Sequence, residues 1–176
     1  DAELLGLYYT IHSLDLSQTY SEDDCEHLVF LEDILDMDSK TVLARRYSPI
    51  EPGILAQMRD AGFTTVKVVD VSWDEGIFMK SVESDQSRST DDALKDIYHR
   101  LRPGDPATPS NARQLLRRLF FDARRYDLGR VGRYKINQKL GLSGKVDDEC
   151  RILDVQDVIE TIRHLLKVRR GQEHVD

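Results

Sequence analysis

"TTVKVVDVSWDEGIFMKSVESDQSRSTDDALKDIYHRL", residues 64–101, changes character midway, and the change decides the fold class. Its first part, "TTVKVVDVSWD", is rich in β-branched residues and reads as the clearest strand in the chain. The run "GIFMKSV" is expected to pair with it across "DEG". "ESDQSRSTDD" is a polar connector. Beyond it, Ala93, Leu94, Ile97, Tyr98 and Leu101 recur at helical spacing along one stripe. A strand-bearing part followed by a helical part points to an α+β fold.

Upstream, "HLVFLEDILD" and "KTVLARRYS" are short apolar and β-branched runs separated by "MDS", the pattern of a hairpin. In "SPIEPGILAQMRDAGF", Pro52 suits a first helical turn, Ile54, Leu55 and Met58 form one face, and Gly62 is a natural stop. Residues 2–10 place Leu4, Leu5, Tyr8 and Tyr9 at helical spacing. Downstream, "RPGDPATP" ends one helix, and Thr108 followed by Pro109 caps and opens the next. That helix carries Ala112, Leu115, Leu116, Leu119 and Phe120 on one face, with Arg113, Arg117 and Arg118 opposite. A last helix begins at Asp154, with Asp157 three residues on as in a capping box. It would bury Val155, Val158, Ile159, Ile162, Leu165 and Leu166, and Gly171 ends it. The expected architecture is a helical body, residues 1–21 and 88–176, interrupted by an inserted small β-rich subdomain, residues 22–87.

The 176 residues are 40% hydrophobic and 32% charged, a balance typical of a globular chain able to bury a core. No apolar run reaches the roughly 20 residues that span a bilayer. The chain starts "DAELL" without Met, which suggests a piece of something longer. Cys25 and Cys150 lack metal-ligand or redox spacing and read as reduced thiols of an intracellular protein. The five histidines form no HExxH or HxH pattern, so no metal site is expected. The paired acids Asp23–Asp24, Asp91–Asp92 and Asp147–Asp148 fall in connectors or at helix starts, where caps and solvated loops account for them. No phosphate-binding, nucleotide-binding or nucleophile signature is present. A self-contained enzyme, such as a small carboxylate hydrolase, is therefore not favoured.

Charge is unevenly distributed. Net charge is −7, yet residues 101–140 hold ten Lys and Arg against three Asp, a local +7 in a remainder of −14. Within it, "RRYDLGRVGRYKINQKLGL", residues 124–142, gathers Arg124, Arg125, Arg130, Arg133, Lys135 and Lys139. Arginine predominates, and its planar fork suits phosphate oxygens and guanine edges. Tyr126 and Tyr134 stand among these cations, where they either stack on unpaired bases or pack into the core. Gly129, Gly132 and Gly141 permit close backbone approach. The arginine cluster as a whole, with Arg124, Arg125, Arg130, Arg133 and Lys135, reads as a nucleic-acid-binding surface, while each tyrosine, Tyr126 included, taken alone leans slightly to the core.

The segment from Ala93 onward resembles the second lobe domain of bacterial RNA polymerase β subunits. The resemblance rests on Arg102–Pro103–Gly104–Asp105–Pro106, Phe120–Phe121, Arg125–Tyr126–Asp127–Leu128, Gly132–Arg133–Tyr134–Lys135–Ile136–Asn137 and the ending "HLLKVRRGQEHVD". Residues 1–20 resemble the same domain more loosely, and residues 22–84 look like a lineage-variable insertion. The resemblance implies a noncatalytic wall of a DNA channel, meeting the downstream duplex and the nontemplate strand. Arg102 would line the pocket for a nontemplate guanine and Arg125 would lie near that strand. The rest of that pocket would be supplied by residues upstream of this chain and just past Asp176. It also implies β′, α, ω and sigma partners, a bacterial cytoplasmic, nucleoid-associated location, and no cofactor in this segment, the catalytic Mg²⁺ belonging to β′. The competing reading is an independent interaction module that docks a partner protein through its apolar helix faces.

Overall fold

The strand Thr65–Asp70 (β5) is the middle of a three-stranded antiparallel sheet in the computed structural model, which describes residues 2–36 and 40–175. Its neighbours are Thr10–Asp15 (β1), in register from Thr10 opposite Asp70 to Asp15 opposite Thr65, and Leu28–Phe30 (β2), with Leu28 opposite Asp70. Val66, Val68 and Val69 are all buried, so β5 is covered on both faces, as its near-continuous apolar run requires. Ile34–Leu35 (β3) and Val42–Ala44 (β4) form the expected antiparallel pair, while the "MDS" turn lies outside the described residues. Between β1 and β2, Glu22–Cys25 (α2) is a single turn capped by Ser21. The helix Pro52–Asp60 (α3) runs from Pro at its first turn to Gly62, whose φ of 86° needs glycine. Leu55 and Met58 of α3 join Leu16, Phe30, Ile50, Val66 and Val68 in the core of this unit.

Three expectations are corrected here. Residues 2–10 are not one helix: α1 (Ala2–Gly6) is short, and the chain then enters β1. The run after "DEG" is not a strand but the helix Ile77–Ser84 (α4). Asp74 decides this, because its buried carboxylate accepts the amides of Gly76 and Phe78, both at 2.9 Å, and so starts a helix. The edge of β5 expected for that run is taken by β1 instead. Because β1 pairs with β5, residues 1–21 share a compact unit with residues 22–84, and the chain divides at Ser84 rather than into 1–21 plus 88–176 around an insert. Tyr8 and Phe78 rings lie 4.1 Å apart between centroids, and Tyr9 packs 6.0 Å from Trp73, closing the end of this unit.

The second unit, residues 85–176, is helical. Thr90–Leu101 (α5) is capped by Ser89, whose hydroxyl accepts the Asp92 amide. Pro109–Leu116 (α6) is capped by Thr108, as the sequence indicates. Leu94, Tyr98 and Ala112 make its small apolar cluster, with Leu115 and Leu116 against it. After α6 the chain widens into a π-type turn, Arg117–Phe121. Gly129–Lys139 (α7) and Val155–Arg169 (α8) follow, α8 with the expected Asp154–Asp157 capping box. The apolar stripe assigned to α8 is only partly buried: Leu166 is, but Val155 and Leu165 are 65% and 67% exposed. Helices and small antiparallel sheets together make the fold α+β.

Candidate nucleic-acid interface

The charge asymmetry follows the division into units. Residues 1–84 carry 17 acidic side chains against six Lys and Arg, a net −11, and residues 85–176 carry 15 against 19, a net +4. Within the second unit, α7 sorts its charged motif onto two faces. Arg133 and Asn137, four residues apart, point inward and are 0% and 1% exposed. Tyr134 and Lys135 are exposed, Tyr134 by 58%.

Arg133 is therefore corrected from a surface contact to an internal tie. Its Nη1 donates to Asp157 Oδ1 at 2.7 Å, its Nε to the Cys150 carbonyl at 2.7 Å, and its Nη2 to the Ile152 carbonyl. The Asp157 hydrogen bond raises the Arg133 pKa above its ordinary value, and burial opposes it. Asn137 completes the network by donating to the Val146 carbonyl at 3.1 Å and to Asp148 Oδ1 at 2.7 Å. This satisfied cluster fixes α7 against the loop before α8 and to α8 itself. The helical spacing of Arg133 and Asn137 was the available signal for it, since a face carrying two polar residues that can each bond several carbonyls is a candidate inner face.

The other cations lie on the surface. Arg102 follows α5 in a turn made by Gly104 at φ 94°, and pairs loosely with Asp105 at 3.9 Å, both being 57% exposed. Arg124 and Arg125 stand on the loop after the π-type turn, held by backbone bonds to Asp122. Arg130, at the start of α7, pairs with Glu149 at 3.1 Å in the open. Arg117, Arg118, Arg124, Arg125 and Lys135 have no ion-pair partner among the described residues. Such charges are available to a polyanion at little cost, since exposed pairs are worth at most about 1 kcal/mol.

Tyr126 is half-buried, its ring 6.1 Å from Phe120 at 74°, which in turn meets Phe121 edge-on. Tyr126 thus packs partly against Phe120, and the more exposed aromatic of the motif is Tyr134. Asp127 holds the loop by accepting the Gly129 amide at 2.7 Å and facing Arg151 at 3.3 Å, and Gly129 has a φ of 64°. Among the described residues, no three His, Cys, Asp or Glu side chains gather as metal ligands, and no helix is long and apolar enough to cross a membrane.

The sequence that builds this fold is shared with known proteins. Residues 69–176 match the family described as RNA polymerase Rpb2, domain 2. Across 100% of the chain the sequence is 43% identical to the DNA-directed RNA polymerase subunit beta of Methylacidiphilum infernorum, and across 98% it is 39% identical to that of Chlamydia pneumoniae. In both cases the chain spans 14% of the relative's length. With its second unit matched end to end and its whole length aligned at this identity, the chain belongs to the β-subunit family of DNA-directed RNA polymerases.

Proposed function

We propose that this chain serves transcription as a noncatalytic DNA-facing part of a polymerase β subunit. Its second unit presents Arg102, Arg124, Arg125, Arg130 and Lys135 to the phosphates of the downstream duplex and the nontemplate strand. The observation that carries this reading is the row of exposed arginines around residues 117–125 without ion-pair partners among the described residues, in the one unit with net positive charge. Most such contacts set affinity without reading sequence. Arg102, on its glycine turn, is the candidate for a bidentate contact to a guanine edge, worth about 1–3 kcal/mol of discrimination. Arg133 and Tyr126 support the surface from within. The Mg²⁺-dependent nucleotidyl transfer of the whole enzyme then belongs to another subunit, and β′, α, ω and sigma are partners of the assembled subunit in the bacterial cytoplasm and nucleoid. The exposed Val155 and Leu165 on α8 favour a second, compatible role, docking of neighbouring protein on that face.

The test is polymerase reconstituted with β carrying Arg102→Ala or Arg125→Ala, and the decay of its promoter complexes after competitor is added. Faster decay in both variants is expected. Unchanged lifetimes in both would overturn the assignment.

A further inference from the structure

The first unit holds a groove of about 1180 Å³ that the DNA-facing reading leaves unused. Its floor is apolar, with Ile50, Val71 and Met79 as buried contributors, and its rim is acidic. Glu22, Asp23 and Glu26 come from α2 and the residue after it, and Glu51 stands just ahead of α3. All four are exposed. Lys80 and His27 are the basic residues along the lining, and His27 already faces Glu26 at 3.6 Å. The unit around it is strongly acidic, a net −11.

We infer that this groove is a docking site for a cationic protein segment, with one bulky apolar side chain on the floor and flanking Lys or Arg at the Glu22, Asp23, Glu26 and Glu51 rim. Charge complementarity selects the occupant. A nucleic acid or an acidic peptide would meet four exposed carboxylates, whereas a basic segment is steered toward them and then anchored by apolar burial. The groove has room for a short run of several side chains, as an extended segment offers, rather than for a folded domain. A segment of this kind, offered by a factor that acts on the enzyme, would be held on a unit that carries none of the proposed DNA contacts.

Three labelled 15-residue peptides test this on assembled polymerase by fluorescence anisotropy: one with a Leu-Trp centre flanked by Lys, one with the same centre flanked by Glu, and one with Lys flanks and a Gly-Gly centre. The enzyme carries wild-type β, β with Glu22→Lys, Glu26→Lys and Glu51→Lys, or β with Glu3→Lys, Glu32→Lys and Asp60→Lys as a charge-matched control. All six positions are exposed, and circular dichroism of the chain checks that each variant folds. The Lys-flanked Leu-Trp peptide should bind wild type and control alike and lose about tenfold or more on the rim variant, and on wild type both other peptides should bind about tenfold more weakly. Equal losses on rim and control variants would reduce the effect to diffuse attraction and overturn the proposal. Indifference to the Gly-Gly centre, or no binding at all, would overturn it as well.

Discussion

Arg133 and Asp157 meet at 2.7 Å with side chains 0% and 2% exposed, and each also closes a backbone gap: Arg133 on the Cys150 and Ile152 carbonyls, Asp157 on the Asp154 amide. A buried pair of this kind is costly to break from one side, because the survivor keeps its charge without its partner. Arg133→Met should therefore lower the stability of the second unit by about 3–5 kcal/mol. Arg133→Lys keeps the charge but loses the fork that reaches three acceptors, and should recover only part of it. Urea unfolding of the chain measures both, and a loss below about 1 kcal/mol for Arg133→Met would contradict the role given to the pair.

A second buried pair gives the first unit an alkaline limit. Tyr9 Oη donates to Asp74 Oδ2 at 2.7 Å and accepts the Met79 amide at 3.0 Å. Burial, and then the hydrogen bond to Asp74, push the Tyr9 pKa above its ordinary 10.0. The neutral phenol is the form the fold prefers, so its contribution is complete below pH 10.0 and is lost as pH climbs from there through the raised pKa. Stability of this unit should fall above about pH 10, and Tyr9→Phe should remove that dependence while costing about 1–3 kcal/mol at neutral pH. Thermal melts of the two proteins across that range compare them, and identical alkaline slopes would refute the assignment.

Those two pairs also mark what was and was not legible in the sequence. Elements with local punctuation were legible: α3 between Pro52 and Gly62, α6 behind Thr108, and α8 behind Asp154 and Asp157. Elements fixed by distant partners were not. Nothing within "TIHSLD" declares a strand, and β1 exists because β5 offers it an edge. "GIFMKSV" has strand-like composition, and the Asp74 carboxylate, tied in turn to Tyr9 some 65 positions away, turns it into a helix. Of the site, the local excess of arginine was readable by counting, but charge cannot tell burial. Arg133 and Arg125 look alike in the string, and only the placement of Asp157 opposite one of them separates an internal tie from a surface cation. The same holds for Tyr126 and Tyr134, which Phe120 distinguishes by covering the first.

The C-terminal end of the described chain should respond to acid. Glu173 is held by Lys167 Nζ at 2.9 Å and by the His164 ring, and these bonds lower its pKa below the ordinary 4.5, Lys167 contributing most. A depressed carboxyl contributes fully above its ordinary pKa and progressively less as pH falls through the depressed one. Protection of the amides at residues 172–175, measured against the intrinsic exchange rate at each pH, should therefore fall on acidification below about pH 4, ahead of protection in α8. Uniform exchange across both segments would mean the tether does not act.

The salt dependence of DNA binding separates the surface cations from the internal one. Each cation–phosphate interaction removed should reduce the slope of log affinity against log salt by about 0.9 on duplex DNA and about 0.7 on single strands. Arg124→Ala, Arg125→Ala and Lys135→Ala remove exposed charges without ion-pair partners among the described residues, so each should leave stability within about 0.5 kcal/mol of wild type. Combined in one polymerase, they should lower the slope by up to about 2–3 and weaken binding similarly across promoter sequences. Arg102→Ala should instead weaken binding more at sites with a nontemplate guanine in reach, by about 1–3 kcal/mol. Filter binding over a salt series, with each variant on two promoters differing at that guanine, resolves the two behaviours. An unchanged slope in the triple variant would show that these cations do not meet phosphate. A sequence-independent loss in Arg102→Ala would return that residue to the common electrostatic surface.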